Sequence, residues 1–319
     1  MAESMSSMEN VFEQLNALGF EQVSQALAEV ITRPRKEREV AVFDFDNTCI
    51  VNDIGEIFSY HLVDGISYRY DLDSFWDLID ARDGRDDLRR MVEAIQCSSD
   101  PFEHPLYDSY RSEMNAIYTR RLEREGKRDC YAWAVRLHVG LGEDAMVELS
   151  NRAIDAELAK PLERQTFLTS RGEEIAVERG IRMIHAIREL FRLLDANGIE
   201  VWICSATNIW TVREFAARYG VPRDRVIGNR VRVVDGVLTD EIIEPVMFKE
   251  GKRAAIEREI GVRPTIVGGD SDTDFGMLEF AEFPLFLDTG TDSAYIEHAT
   301  RNNWNVVTRH KLKVEESDG

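Results

Sequence analysis

The spacing of apolar residues divides the chain into stretches with different predicted secondary structure. Residues 8–31 carry apolar positions at helical intervals interrupted at Gly19, which predicts either one helix or two short ones. The apolar run Val40–Phe43 then predicts a strand that is buried on both faces. Beyond position 199, short apolar runs alternate with helical segments, and Asp235-Gly236 between two such runs predicts a β-hairpin. This alternation predicts a mostly parallel sheet covered on both faces by helices, with the first strand belonging to it.

The stretch between the first strand and position 199 has a helical pattern and few prolines. It is far longer than the dozen or so residues that one crossover connection needs, so it reads as an insertion. The predicted parts are a helical lead-in at 1–36, an α/β core formed by 37–52 and 180–319, and a helical insertion at 53–179. The candidate helices of the insertion are Ile54–Val63, Ser74–Ile79, Asp86–Ile95, Asp108–Arg124, Cys130–Val139, Glu143–Lys160 and Glu173–Arg179.

Two aspartates one residue apart, Asp44 and Asp46, follow the first predicted strand. Open α/β sheets bind their ligands at the carboxyl ends of the strands, where these side chains are expected. Carboxylates that close repel each other and raise one pKa unless a cation lies between them. Mg²⁺ is suitable because it prefers oxygen ligands. The motif therefore indicates a metal-assisted nucleophile site, with an acidic loop after an edge strand as the alternative.

Three further polar features follow later in the chain, at or near predicted strand ends. They are Ser205 with Thr207 and Asn208 after the strand Ile199–Cys204, Lys252 or its competitor Lys249 near the start of a helix, and Asp270 with Asp274 in GGDSDTD. Taken singly, these residues are typical of a helix cap, a surface charge and a turn. Taken together, in this order, they predict the residues of one site.

These four motifs resemble those of the haloacid dehalogenase superfamily of phosphohydrolases, in the branch of phosphoserine phosphatase. The resemblance covers 40–48 and 199–287, and the insertion carries no matching motif beyond its first residues. Asn47 stands where the family more often has Gly or Ser, and Cys49 stands where Leu is usual. The resemblance implies an α/β fold: a Rossmann-like parallel sheet core with a large inserted all-helical cap domain.

The resemblance also implies a role for each motif residue. Asp44 would attack phosphorus, and Asp46 would act as general acid and base. The remaining implied roles are phosphoryl binding by Ser205 and Lys252, substrate binding near Thr207 and Asn208, Mg²⁺ binding by Asp44, the backbone carbonyl of Asp46 and Asp270, and support from Thr48 and Asp274. The acid at position 46 favours phosphoryl transfer, because a halide needs no proton on leaving.

By the same resemblance, the inserted cap closes over the site, which favours a small phosphorylated metabolite as substrate. Asp53 stands where related proteins contact a substrate amine, as in serine, ethanolamine or choline phosphate; an ordinary helix N-terminal acid is the alternative, and Glu56 lies close by. Two further sets each have a binding and a structural interpretation. They are the aromatic residues Tyr60, Tyr68, Tyr70, Phe75 and Trp76, as a cage for a quaternary amine or as cap core, and Arg69, Arg82, Arg85 and Arg89, as carboxylate ligands or surface ion pairs.

The formal net charge of −20 argues against nucleic acid as a partner and is typical of a solvated acidic surface or of adaptation to high salt. The four cysteines form no CxxC pair, which favours reduced thiols and a cytoplasmic location. No signal peptide and no apolar run of about 18 residues is evident, so no membrane partner is expected. The oligomeric state is left open.

The favoured function is a Mg²⁺-dependent phosphatase acting on a small phosphomonoester through an aspartyl-phosphate. The alternatives are a phosphotransferase or mutase on the same core, and a non-catalytic signalling protein that resembles a phospho-receiver.

Overall fold

A central sheet of parallel strands organises the molecule. The computed structural model describes residues 2–35 and 37–315 of the chain. Met1, Lys36 and residues 316–319, which the sequence assigned to the lead-in and the core, lie outside the described residues. The described strands are β1 (Glu39–Phe43), β2 (Ile50–Val51), β3 (Glu163–Leu168), β4 (Glu174–Arg179), β5 (Arg182–Met183), β6 (Ile199–Asn208), β7 (Val226–Asn229), β8 (Val231–Val234), β9 (Val237–Ile242), β10 (Ile266–Gly269), β11 (Phe283–Asp288) and β12 (Asn305–Thr308).

Helices cover the sheet and fill the inserted stretch. They are α1 (Ala2–Leu18), α2 (Ser24–Thr32), α3 (Ile54–Asp64), α4 (Asp73–Trp76), α5 (Arg85–Gln96), α6 (Tyr107–Glu125), α7 (Lys127–Arg136), α8 (Glu143–Leu158), α9 (His185–Ala196), α10 (Ile209–Ala216), α11 (Glu250–Glu259), α12 (Phe275–Phe280) and α13 (Ser293–Arg301). Short 3₁₀ turns lie at Ala81–Asp83, Ala217–Tyr219, Arg223–Arg225, Asp272–Asp274 and Arg309–Lys311. None of the described helices is both long enough and apolar enough to cross a membrane.

Strand β1 lies in the middle of the sheet, whose order is β12-β11-β10-β1-β6-β7 with every pair parallel. Val40 and Val42 of β1 pack into the core on one face, and Ala41 and Phe43 pack into the core on the other. This alternation explains why an unbroken apolar run forms a strand buried on both sides. After β1 the chain builds β6 and β7 on one side of it and then β10, β11 and β12 on the other. The α/β class and the parallel sheet predicted from the sequence are therefore confirmed.

The inserted stretch leaves and rejoins the rest of the chain through a two-stranded antiparallel ribbon of β2 and β5, in which Ile50 pairs with Met183 and Val51 with Arg182. Helices α3 to α8 lie between these two strands in the chain. The ribbon supports the division of the chain near 53 and 179, which we retain as a proposal.

One helix predicted in the insertion, Glu173–Arg179, is wrong, because this segment forms β4 and pairs antiparallel with β3. Gly172, with φ of +78°, allows the turn between the two strands. In β4 every second residue is buried (Ile175, Val177 and Arg179), which is the period of a strand. The insertion is therefore predominantly helical and ends in a hairpin, so it is not all-helical.

At the N-terminus the structure has two helices, α1 and α2, rather than one. Gly19 separates them at a φ of +101°, and a Cβ there would lie 2.3 Å from the carbonyl oxygen of Lys311. The Asp235-Gly236 hairpin is also confirmed, because β8 and β9 pair across these two residues, both of which have positive φ.

Candidate active site

Three buried carboxylates meet at the carboxyl ends of β1 and β10. The register pairs Phe43 with Gly268, so Asp44 leaves its strand beside the end of the neighbouring one, and its N–H donates to the Gly268 carbonyl at 2.9 Å. One carboxylate oxygen from each of Asp44, Asp270 and Asp274 lies within 4.8 Å of the others. The parallel pairing of β1 and β10 thus joins two motifs more than 200 positions apart in the chain.

Lys252 is the cation of this cluster. It lies near the start of α11 and is fully buried, and its Nζ is 2.6 Å from Asp44 Oδ1 and 2.6 Å from Asp274 Oδ1. Burial opposes its charge, yet Asp274 and Asp44 together hold the pKa of Lys252 well above its usual value. Lys249 instead points to Asp272, with its Nζ 3.0 Å from Oδ2, and is largely exposed. Of the two lysines left open by the sequence, the structure brings Lys252 to Asp44.

One lysine does not balance three carboxylates. Burial, followed by the charge of Asp274, raises the pKa of Asp44 to about 7, and Lys252 opposes the rise only in part. The same two causes raise the pKa of Asp270 well above its usual value. The donor set consists of close, buried carboxylate oxygens at strand ends, which is the ligand chemistry that Mg²⁺ prefers. These residues therefore fit a divalent cation.

Asp46 points away from this cluster and is held by three donors. Its Oδ1 accepts the Ile54 N–H at 2.7 Å, and its Oδ2 accepts the hydroxyls of Thr207 at 2.8 Å and Ser205 at 3.1 Å. Burial, and then the charge of Asp53, raises the pKa of Asp46 to about 7. The side chain is thus not one of the three clustered carboxylates, and metal binding by its backbone carbonyl stays a prediction.

The carboxyl end of β6 contributes differently from the way the resemblance implies. The Ser205 hydroxyl lies behind Asp46, donating to its carboxylate and accepting the Thr207 N–H at 3.0 Å, and it does not line the cavity described below. Thr207 and Asn208 do line it. The Asn208 side chain also caps α10, accepting the Thr211 N–H at 2.9 Å. A direct contact of Ser205 with a phosphoryl group would need its hydroxyl to turn.

Two residues predicted as supports do brace the cluster. Thr48 donates its hydroxyl to Asp270 Oδ1 at 3.0 Å. Asp274 Oδ2 accepts the backbone N–H groups of Asp270 and Ser271 at 3.0 and 3.2 Å. A Cβ at Gly269 would lie 2.7 Å from the Asp274 side chain, so glycine is required for this close approach. Asn47 has a φ of +56°, a backbone region that Gly and Asn tolerate best, which accounts for the departure from the family pattern there.

A cavity of about 310 Å³ leads from the carboxylates into the inserted helices. Asp53 lines it and also caps α3, accepting the Glu56 N–H at 2.9 Å, so the helix-cap interpretation is confirmed and an amine contact at Asp53 stays a prediction. Glu56 lines the cavity too, and its Oε2 accepts the Tyr60 hydroxyl at 3.3 Å. Burial, and then Glu56, raises the pKa of Asp53 to about 7. Two more acids, both partly buried, therefore stand beside the metal-type cluster.

The five aromatic residues considered as a cage do not gather around the cavity. Only Tyr60 and Tyr68 line it, whereas Tyr70, Phe75 and Trp76 pack against one another in the core of the insertion. The four arginines considered as carboxylate ligands form ion pairs outside the cavity, which are Arg69–Asp71, Arg82–Asp80, Arg85–Asp86 and Arg89 with Asp73 and Glu93. The structural interpretation is correct for both groups, except for Tyr60 and Tyr68.

Several cavity residues were missed in the sequence, and the largest group of them lies on or next to α6 and α7. This group comprises Met114, Asn115, Tyr118, Lys127, Tyr131, Trp133, Ala134, Val135, Leu137 and His138. Lys127, Tyr131, Ala134 and His138 are spaced by four, three and four positions, which is the spacing of one helix face. That mixed polar and aromatic stripe was the available signal.

Comparison with known proteins agrees with this geometry. The chain matches the family model for haloacid dehalogenase-like hydrolase over residues 111–279, more than half of its length. This range contains Ser205, Lys252, Asp270 and Asp274, although not Asp44. A search of the curated proteins gave no match.

Solved structures with a similar fold include a conserved functionally unknown protein from Anaerococcus prevotii DSM 20548, at 22% identity and TM-score 0.77, covering 93% of this chain and 97% of that one. A protein with unknown function from Bordetella pertussis Tohama I matches at 16% identity and TM-score 0.56, covering 86% of this chain and 100% of that one. A phosphoserine phosphohydrolase-like protein from Francisella tularensis subsp. tularensis SCHU S4 matches at 16% identity and TM-score 0.45, covering 85% and 95%. At these identities the first two show the fold alone.

Proposed function

The chain belongs to the haloacid dehalogenase-like hydrolase family, and from this premise we propose that it is a Mg²⁺-dependent phosphatase of a small phosphomonoester. The observation that carries the proposal is the pairing of Asp44 with buried Lys252 at 2.6 Å beside a second acid, Asp46, whose pKa is raised to about 7. The pairing supplies a fixed nucleophile, and the second acid is able to exchange a proton near neutral pH.

Asp44 is the nucleophile in this proposal. One of its carboxylate oxygens forms a bond to phosphorus while the bond from phosphorus to the alcohol oxygen breaks, giving an aspartyl-phosphate and the free alcohol. Lys252 holds the Asp44 carboxylate in place and offsets negative charge on the transferred group. Asp274 keeps Lys252 charged and oriented through its 2.6 Å contact.

Asp46 is the general acid and base. Its proton passes to the leaving alcohol oxygen, and the resulting carboxylate then takes a proton from the water that attacks the aspartyl-phosphate. The Ile54 N–H and the hydroxyls of Thr207 and Ser205 fix the orientation of this carboxyl group. A bound Mg²⁺, held by Asp44, Asp270 and the backbone carbonyl of Asp46, would neutralise the charge between an anionic nucleophile and an anionic phosphate.

The geometry favours phosphoryl transfer from an alcohol over dehalogenation and over a signalling receiver. An acid at position 46 serves an alcohol leaving group, which needs a proton, and would be idle in dehalogenation. The cavity beneath the inserted helices fits a small substrate, and a signalling receiver does not require such a cavity. A phosphotransferase would share every group named so far, and only the product distinguishes it. The cytoplasmic location inferred from the cysteines stays a prediction.

A phosphate-release screen tests the proposal. We expect at least one small phosphomonoester to release free phosphate and alcohol in equal amounts with Mg²⁺, and we expect EDTA to abolish the release. Less phosphate than alcohol in the presence of an added acceptor alcohol would indicate transfer instead. Absence of release from the whole panel, or release indifferent to EDTA, would contradict the proposal.

We further propose that the substrate bears an amine close to its phosphate. Asp53 and Glu56 are partly buried acids at the cavity wall, and no described lysine or arginine forms an ion pair with either. A substrate ammonium group would satisfy both. The first candidates for such a substrate are phosphoserine, phosphoethanolamine and phosphocholine.

Asp53→Asn tests the amine. Asparagine caps a helix as well as aspartate does, so α3 and the melting temperature should be preserved while the charge is lost. We expect kcat/KM for the amine-bearing substrates to fall roughly 10–100-fold, and that for p-nitrophenyl phosphate to change little. Asp80→Asn, at a capping aspartate outside the cavity, is the matched control. An equal loss for both kinds of substrate would argue against an amine contact at Asp53.

A further inference from the structure

The inner end of the cavity contains buried polar atoms without partners. His138 is 2% exposed and Asn115 is 5% exposed, and both line the cavity. Three of their side-chain nitrogens have no hydrogen-bond partner among the described residues: both ring nitrogens of His138 and the Nδ2 of Asn115. Buried polar groups are normally paired because leaving them unpaired destabilises the fold. Because His138 and Asn115 line the cavity, these unpaired atoms indicate a polar group that binds there.

The two residues lie at the same level of the cavity. The ring of His138 packs 5.5 Å from that of Phe58 and stacks on Tyr68. Asn115 lies on α6 between Tyr110, whose hydroxyl donates to the Val63 carbonyl at 2.9 Å, and Tyr118, whose pKa is raised by burial and then by Glu56. Helix α6 thus runs antiparallel to α3, which places Asn115, like His138, near the middle of α3.

That level is well beyond the proposed amine position. Cavity-lining residues of α3 continue from its cap, Asp53, through Ser59 to Val63, and a helix rises 1.5 Å per residue. Ser59, in the middle of α3, therefore lies about 9 Å along the helix from Asp53. Serine, ethanolamine and choline add only two or three bonds of about 1.5 Å beyond the phosphate oxygen, so they do not reach this level.

The chemistry of the inner end selects a neutral group. Only Lys127 and Lys252 are permanent cations among the described cavity-lining residues, and both are engaged, Lys127 with Asp272 at 2.5 Å. The lining carboxylates belong to the strand ends and to the first turn of α3. Burial lowers the pKa of His138 to about 3, so its imidazole is neutral and offers one donor and one acceptor. A hydroxyl accepts from Asn115 while it exchanges a hydrogen bond with His138.

We propose that His138 and Asn115 form a specificity subsite that binds a hydroxyl group at the far end of the leaving alcohol. A phosphomonoester that fills this subsite has a longer leaving group than phosphoserine or phosphocholine, which would occupy only the outer part of the cavity next to Asp53. This inference rests on the proposed phosphatase function for the position of the phosphate. The inserted helices then select the substrate through the polar group at its far end.

The test measures binding without turnover. The probes are ω-hydroxyalkyl phosphonates and the matching alkyl phosphonates with four, six and eight carbons, titrated with Mg²⁺ into the full-length protein by calorimetry. We expect the hydroxyl to improve Kd roughly tenfold at one or more of these lengths. His138→Phe and Asn115→Leu should each bring this ratio close to one. His298→Phe, another histidine stacked on an aromatic ring but outside the cavity lining, should leave it unchanged.

If His138 only stabilised the fold, His138→Phe would lower the melting temperature. His138→Phe keeps the stacking on Tyr68 and removes two unpaired buried nitrogens, so we expect an unchanged or higher melting temperature. A lack of binding, a lack of hydroxyl preference at every length, or a preference that survives both variants would overturn the subsite. Phosphate release from the corresponding monophosphates is scored separately. Discriminating binding without release would refute the phosphatase while leaving the subsite standing, and release without discrimination would do the reverse.

Discussion

Asp44→Asn should abolish phosphate release, with a fall in kcat of at least about 10³-fold on every substrate that the wild-type protein hydrolyses. The amide has nearly the shape of the carboxylate but is not nucleophilic, and no other described carboxylate that faces the cavity shares the 2.6 Å contact with Lys252. Lys252 keeps Asp274 as its partner in the variant. Phosphate release under saturating substrate and Mg²⁺ is the measurement.

The same variant should fold normally. The pKa of Asp44 is raised in the folded chain by burial and by Asp274, so its charge opposes folding, and a neutral side chain should leave the melting temperature unchanged or higher. Asp83→Asn is a matched control, because Asp83 is also buried and paired with a cation, Arg124, but lies outside the cavity lining. Its activity should equal that of the wild type. Activity retained by Asp44→Asn would contradict the assignment of the nucleophile.

Asp46→Asn should have the second largest effect, and its size should depend on the leaving group. For alkyl phosphates, whose alkoxide must be protonated, we expect kcat to fall about 10²–10⁴-fold. For p-nitrophenyl phosphate, whose leaving group departs as a stable anion, the loss in the first step should be much smaller. A plot of rate against leaving-group pKa should accordingly be steeper for the variant than for the wild type.

Asparagine preserves the acceptor for the Ile54 N–H, so the loop geometry should be retained in Asp46→Asn. The same Asp83→Asn variant controls for loss of a buried acid. A uniform loss across all leaving groups would mean that Asp46 acts on the second step alone or only maintains the site, and the acid role would be abandoned.

The sheet and the motif residues could be predicted from the sequence. Val40–Phe43 is short, apolar and followed directly by charged residues, a combination that favours a strand buried on both faces. The motif carboxylates at 44 and 270 meet because parallel neighbours end at the same edge of a sheet. Local pattern and topology act together at this edge, so spacing in the chain was sufficient.

Other features depend on contacts that the sequence does not display. The choice between Lys252, on α11, and Lys249, just before it, rests on which side chain reaches the strand ends, and both had the same local pattern. Segment 173–179 is short and mixed in polarity, so its strand period became visible only through pairing with β3. The position of the Ser205 hydroxyl depends on a neighbour more than 150 residues away.

The residues on the cap side of the cavity were the hardest to predict from the sequence. Asn115 and His138 come from segments separated by a turn, and they share a cavity only because α6 and α7 pack beside α3. In the sequence each is a single polar residue among helical positions. Only the packed structure reveals that the His138 ring nitrogens and the Asn115 Nδ2 have no partner among the described residues.

Trapping the phosphorylated enzyme tests the central claim most directly. The protein is mixed with Mg²⁺ and a phosphomonoester that it hydrolyses, and the reaction is quenched in acid within one turnover. Reduction with borohydride then converts an aspartyl-phosphate to homoserine. Peptide mass spectrometry should then locate homoserine at position 44, only when substrate and Mg²⁺ are both present. Phosphate release with no modification at 44, or with the modification at another carboxylate, would contradict the account.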